Sequence, residues 1–100
     1  MSSTAASTFG KRLKQARSAA GLSQKRLGIL AGLDEFVAST RINRYERGVH
    51  EPDANIALRL AEVLHVPRAY LYADDDALAE IILTYAASLT HQELECLPGG

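Results

Sequence analysis

Apolar residues recur at helical spacing along most of the chain, and no stretch alternates as a half-buried strand would. Phe9, Leu13, Ala16 and Ala20 stand at i, i+4, i+7 and i+11, one stripe with Lys11, Arg12, Lys14, Gln15 and Arg17 outside it. Ser7 or Thr8 can cap the start of that helix, and Gly21 followed by Leu22 supplies a stop with its hydrophobic contact. Ser23 caps a short second helix containing Leu27 and Leu30. Gly32 suits the left-handed turn that ends it. A third helix is predicted over Ser39–Arg47, ending at Gly48. Pro52 and Asp53 open a fourth, with Ala57, Leu60, Ala61 and Leu64 inward and His65 as its C-cap. Pro67 fits the first position of one or two further turns through Ala69–Tyr72. Asp74, Asp75 and Asp76 place negative charge at the positive end of a sixth helix, whose stripe is Leu78, Ile81, Ile82, Tyr85 and Leu89. Thr90-His91-Gln92-Glu93 fits a capping box and predicts a last short helix that stops at Pro98.

These elements predict an all-α fold in three parts: a flexible segment over 1–8, a helical domain over 9–73 and a helical extension over 74–97. At 100 residues and 47% hydrophobic, the chain can bury one modest core. It falls far short of the roughly 250 residues of a (β/α)₈ barrel. No apolar run approaches the ~20 residues that span a bilayer, and Met1–Thr8 lacks the basic and apolar regions of a secretory signal. Cys96 is the single cysteine, which excludes a disulfide within the chain. With no signal, it points to the cytoplasm and no membrane partner. An inert thiol is the reading favoured for Cys96 over redox coupling between subunits.

Charge divides the chain more sharply than its net value of −1 suggests. Residues 1–50 hold nine Lys and Arg against three acids, a balance of +6; residues 51–100 hold two against nine, a balance of −7. Such a division suits one half that faces a polyanion and another that stays away from it. Catalytic readings find little support. His50, His65 and His91 lie 15 and 26 residues apart, outside metal-binding spacings. Nothing resembles a nucleophile elbow or a phosphate-binding loop. The Asp74–Asp76 run is explained by its helix terminus without a metal. No cofactor, no metal and no enzymatic activity are expected.

Leu22-Ser23-Gln24-Lys25-Arg26-Leu27-Gly28 through Ala31-Gly32, then Arg41-Ile42-Asn43-Arg44-Tyr45-Glu46-Arg47-Gly48 and Pro52, resembles the phage-repressor-like (Cro/repressor type, XRE-like) helix-turn-helix family. Leu58–Val66 is similar to that family's fourth helix and Tyr70-Leu71-Tyr72 to its fifth, so the likeness covers about residues 9–73. The resemblance implies a five-helix domain that binds double-stranded DNA, with a C-terminal helical extension added here. In such a unit the first helix bridges phosphates and the second enters the major groove. Gln24 and Lys25, just after the Ser23 cap, then fit phosphate contact. Ile42 and Tyr45 face the core, leaving Ser39 as cap and Thr40, Arg41, Asn43 and Arg44 outward. Arg can read guanine, Asn adenine, and the Thr methyl can meet thymine. The plainer alternative has Arg41 and Arg44 on phosphate, or paired with Glu46 or Glu62. Arg47 and His50 fit backbone positioning, Glu46 matches the family's structural acid, and Gly28 stands where the family usually has Ala.

One departure concerns docking. Gly32 to Gly48 spans sixteen residues, about four more than the family pattern implies, a surplus of roughly one helical turn. The surplus, Asp34-Glu35-Phe36-Val37-Ala38, is read as an enlarged turn with Phe36 or Val37 in the core. The stripe Leu78, Ile81, Ile82, Tyr85 and Leu89 lies beyond the five-helix core and suits a homodimer interface. The function expected is a sequence-specific transcriptional regulator, a repressor, that binds a palindromic operator as a dimer. Two alternatives stay open: an antitoxin-like autoregulator with a protein partner, and an interaction module that does not read DNA.

Overall fold

A computed structural model describes residues 4–96, with side chains over residues 8–88. The helices run in order α1 (Thr4–Ala20), α2 (Gln24–Leu30), α3 (Ala38–Glu46), α4 (Ala54–Leu64), α5 (Arg68–Leu71) and α6 (Asp76–Cys96), and no strand occurs among the described residues. Local chemistry sets most of these limits. Ser23 Oγ accepts from the Arg26 N–H at 2.9 Å and Asp53 Oδ1 from the Ile56 N–H at 2.8 Å, so each satisfies an orphan amide at a helix start. Gly32 turns the chain out of α2 at φ 95°. His65 ends α4 at φ 58°, a left-handed cap in a residue that has a Cβ.

The core takes one large, fully buried side chain from each of the first five helices: Leu13, Leu27, Ile42, Leu60 and Leu71. Each contributes about 1.5–3 kcal/mol by leaving water. Two glycines bring backbones together around this center. A Cβ at Gly10 would press into the Glu46 carbonyl and lie 2.8 Å from the Tyr45 carbonyl oxygen, so α1 crosses the end of α3 where only hydrogen fits. A Cβ at Gly28 would lie 2.6 Å from the Ala38 Cβ. An alanine at this position would therefore not fit against α3 without a shift.

The sixth helix is fastened by a buried cation. Arg12 is 3% exposed and sits over the Tyr70 ring, 5.9 Å from its centroid. Its Nε donates to the Ala73 carbonyl at 2.7 Å, its Nη1 to Gln15 at 3.0 Å, and its Nη2 pairs with Asp76 at 2.9 Å. Lys11 reaches the same carboxylate at 3.3 Å. The hydrogen bond from Arg12, then that from Lys11, holds the Asp76 carboxyl below the usual carboxylate range. Ala79 is buried, and Ile82 and Leu83 pack on the core from the same helix.

Several expectations are corrected. α1 starts at Thr4, ahead of the caps proposed at Ser7 or Thr8, and its stripe stops short of Ala20, which is exposed. Arg12 belongs inside, because its aliphatic stem packs while four acceptors or π faces satisfy its head. Leu30 is exposed, and Pro67 is the N-cap of α5, one place earlier than predicted. α6 runs through the Thr90–Glu93 box to Cys96 without a second start. Neither Gly nor Pro interrupts it there, and a Thr with Glu three residues on is equally compatible with a helix interior. The expected five-residue stripe also divides: Ile82 packs inward, whereas Leu78, Ile81 and Tyr85 are exposed. The side chains of Leu89, His91 and Cys96, and all of Pro98, lie outside the described residues.

Candidate nucleic-acid interface

The pair α2 and α3 is assembled around Gly28, Leu27, Ala38, Ile42 and Tyr45, all buried. The link between them is enlarged, as expected, but it closes differently. Asp34 Oδ1 accepts from the Phe36 N–H at 2.8 Å, and the Asp34 carbonyl accepts from the Val37 N–H at 3.0 Å. The Val37 carbonyl then takes the Arg41 N–H at 2.8 Å, so the helical ladder begins before Ser39 and leaves it inside the first turn, not capping. Ala38, 0% exposed, fills the core place foreseen for Phe36 or Val37, which are 88% and 41% exposed. Ala38 lies against Gly28 so closely that a Cβ on the glycine would come within 2.6 Å of the Ala38 Cβ.

With Ala38, Ile42 and Tyr45 turned inward, the outward row of α3 is set. Ser39, Thr40 and Arg44 are exposed, as is Arg47 at its end, with Asn43 half-buried between them. The guanidinium of Arg44 has no bonding partner among the described residues. Arg41 differs. Its Nε and Nη2 donate to the Tyr45 hydroxyl at 3.2 and 2.8 Å, and its head sits over the Tyr45 ring. Neither arginine pairs with Glu46 or Glu62 among the described residues. Gly48, at φ 75°, then turns the chain so that the Val49 N–H meets the Arg44 carbonyl at 3.0 Å, leaving His50 exposed.

A buried ion pair locks this row to the rest of the molecule. Arg17 Nε donates to Glu46 Oε2 at 2.5 Å, and their side chains are 15% and 4% exposed. Arg17 Nη1 also donates to the Leu22 carbonyl at 2.9 Å, at the entry to α2. Gln24 Nε2 completes the set by donating to Glu46 Oε1 at 3.0 Å. Glu46 thus ties α1, α2 and α3 together, the structural part expected of it. Arg17 was missed as a member, although its place at i+4 from Leu13 puts it beside the apolar stripe. Gln24 is half-buried on this network, while its neighbours Lys25 and Arg26 are exposed. The structure thus brings Ser39, Thr40, Asn43, Arg44 and Arg47 onto one side of α3 and joins Gln24 to that helix's end.

Two short helices packed together, the second with an uncovered polar and basic row, form a unit that sequence comparison identifies. Residues 8–71 match the helix-turn-helix domain family. The chain belongs to the helix-turn-helix family. Within that family it has the phage-repressor-like, XRE-like character, with α2 as the first helix of the unit and α3 as the second. It is 33% identical over 69 residues to the HTH-type transcriptional regulator ImmR of Bacillus subtilis (strain 168). That match takes in 69% of this chain and 51% of ImmR, so the chain spans about half the length of that relative. The crystal structure of the transcriptional regulator BswR matches with a TM-score of 0.75 and 48% identity, over 88% of this chain and 93% of that one. Because the likeness to BswR extends past residue 71, this helix-turn-helix protein shares more with it than the family domain. Among the described residues no helix is long and apolar enough to cross a membrane.

Proposed function

We propose that this helix-turn-helix protein is a sequence-specific transcriptional regulator that represses by occupying a palindromic operator as a homodimer. The observation that carries the reading is the outward row of α3, held rigid by a buried opposite face and by the Glu46 network. Thr40, Asn43 and Arg44 are the base-reading residues, with Ser39 beside them at the helix start. Arg44 is the guanine reader, because its donor fork is unspent. Arg41 acts from its seat on Tyr45 with the donors that remain. Lys25, Arg47 and His50 position the phosphates, and Gln24 offers them the amide hydrogen it does not give to Glu46.

The dimer rests on α6. Leu78, Ile81 and Tyr85 leave an apolar row in water, and Leu89 continues it by spacing. A single unit covers few base pairs, so two half-sites supply the specificity one cannot. The acids of the C-terminal half suit a surface directed away from phosphate.

Selection from genomic DNA, followed by salt-titrated binding of the enriched site against scrambled DNA, tests this directly. The expected result is a palindrome with half-sites about one helical turn apart, preferred by ~10³ or more. Weak binding with no enriched sequence would instead direct attention to α6 and a protein partner.

A further inference from the structure

The most exposed large apolar side chain described, Phe36, takes no part in the core or in the readings above. Its position is fixed: its N–H is held by Asp34 Oδ1 at 2.8 Å, and the turn is closed by the Val37 N–H on the Asp34 carbonyl. Val37, at φ −117° and ψ −4°, carries the right-handed winding back from α3, and its carbonyl already accepts from Arg41. Phe36 therefore stands one residue before the Val37 N-cap, in the turn that leads into α3. Thr40, Asn43, Arg44 and Arg47 follow it at i+4, i+7, i+8 and i+11. It stands at the N-terminal end of α3, the end that goes deepest toward base edges in such a unit.

The chemistry of the tip selects its target. Asp34 and Glu35 are both exposed beside the ring, and carboxylates disfavour the phosphates that line the groove walls. What the tip offers DNA is an apolar face, and the apolar group displayed in the major groove is the C5-methyl of thymine. We propose that Phe36 is a further specificity-determining residue, packing on a thymine methyl at the groove floor next to the base met by Thr40. This rests on the operator reading above.

The test uses the full chain and the enriched operator, with wild type and Phe36→Ala each titrated against that DNA. Each thymine is replaced in turn by deoxyuridine, which removes only the methyl. For wild type, one replacement per half-site lowers affinity about fourfold, the worth of one buried methyl. For Phe36→Ala, affinity for the intact site falls about tenfold, that same replacement has no further effect, and the salt slope is unchanged because no phosphate contact is lost. The variant keeps the wild-type urea midpoint, since the ring is exposed. An enriched site that both proteins bind alike, or a variant still sensitive to the same deoxyuridine, overturns the Phe36 contact alone and leaves the tip for a protein partner. No enriched site for wild type overturns the operator reading and the contact with it.

Discussion

Replacing Glu46 by Ala removes the acceptor that Arg17 and Gln24 share, and the loss can be sized from the geometry. Arg17 is 15% exposed and would keep only its bond to the Leu22 carbonyl. Breaking a buried pair on one side costs about 3–5 kcal/mol, because the surviving charge stays desolvated without its partner. The residual exposure of Arg17 lets some water reach it, so about 3 kcal/mol is expected. That is a large part of the ~5–15 kcal/mol that holds a small domain folded. At about 4–8 °C per kcal/mol for a chain of this size, the melting temperature should fall by about 12–24 °C. Urea unfolding followed by far-ultraviolet circular dichroism measures the free energy, and a thermal scan gives the temperature. Arg17→Met with Glu46→Leu should recover most of the loss, because an apolar pair of similar volume carries no desolvation penalty. A loss below about 1 kcal/mol for Glu46→Ala, the worth of an exposed pair, would refute the claim that this network anchors α3.

Other substitutions probe separate parts of the structure. Gly10→Ala raises helix propensity by about 1 kcal/mol, yet its methyl meets backbone carbonyls of α3; a net loss of about 2 kcal/mol in urea unfolding is expected. A neutral or stabilised variant would contradict the crossing of α1 and α3. Asp76 is held ionised below its ordinary range by Arg12 and Lys11, so its contribution is present at neutral pH and lost as pH falls through the lowered value. Asp76→Asn should flatten the acid side of the stability profile, and an unchanged profile would show that the carboxylate does not fasten α6. If the proposed homodimer rests on α6, Ile81→Lys with Tyr85→Lys should convert it into a monomer in sedimentation at unchanged helicity, whereas a persistent dimer would place the interface elsewhere.

Much of the fold was legible because its signals are local. Ser23 and Asp53 cap where a side-chain oxygen can reach an amide three residues on, and Gly21, Gly32 and Gly48 stop helices where φ must turn positive. Ile42, Tyr45 and the inward side of α4 followed from periodicity. What escaped depends on partners distant in sequence. Arg12 reads as a surface cation until Ala73, Tyr70 and Asp76 are placed around it. Phe36 looks like a core residue until Ala38 is seen to take the buried place against Gly28. Ser39 has the right chemistry for a cap, but Asp34 closes the turn earlier. In the candidate site, the row from Thr40 to Arg47 was readable from spacing. The seating of Arg41 on Tyr45 and of Gln24 on Glu46 was not, since both are choices among rotamers.

The central claim is that α3 reads base sequence through its outward row. It is tested most directly by comparing Arg44→Ala with Lys25→Ala on the enriched operator and its single-base variants, each across a salt titration. Arg44→Ala should cost about 1–3 kcal/mol on the operator and relax the preference at one base pair per half-site. Lys25→Ala should weaken every sequence alike and reduce the salt slope by about one. If Arg44→Ala instead weakens all sequences equally, or changes nothing, α3 does not read bases through Arg44 and the account fails at its center.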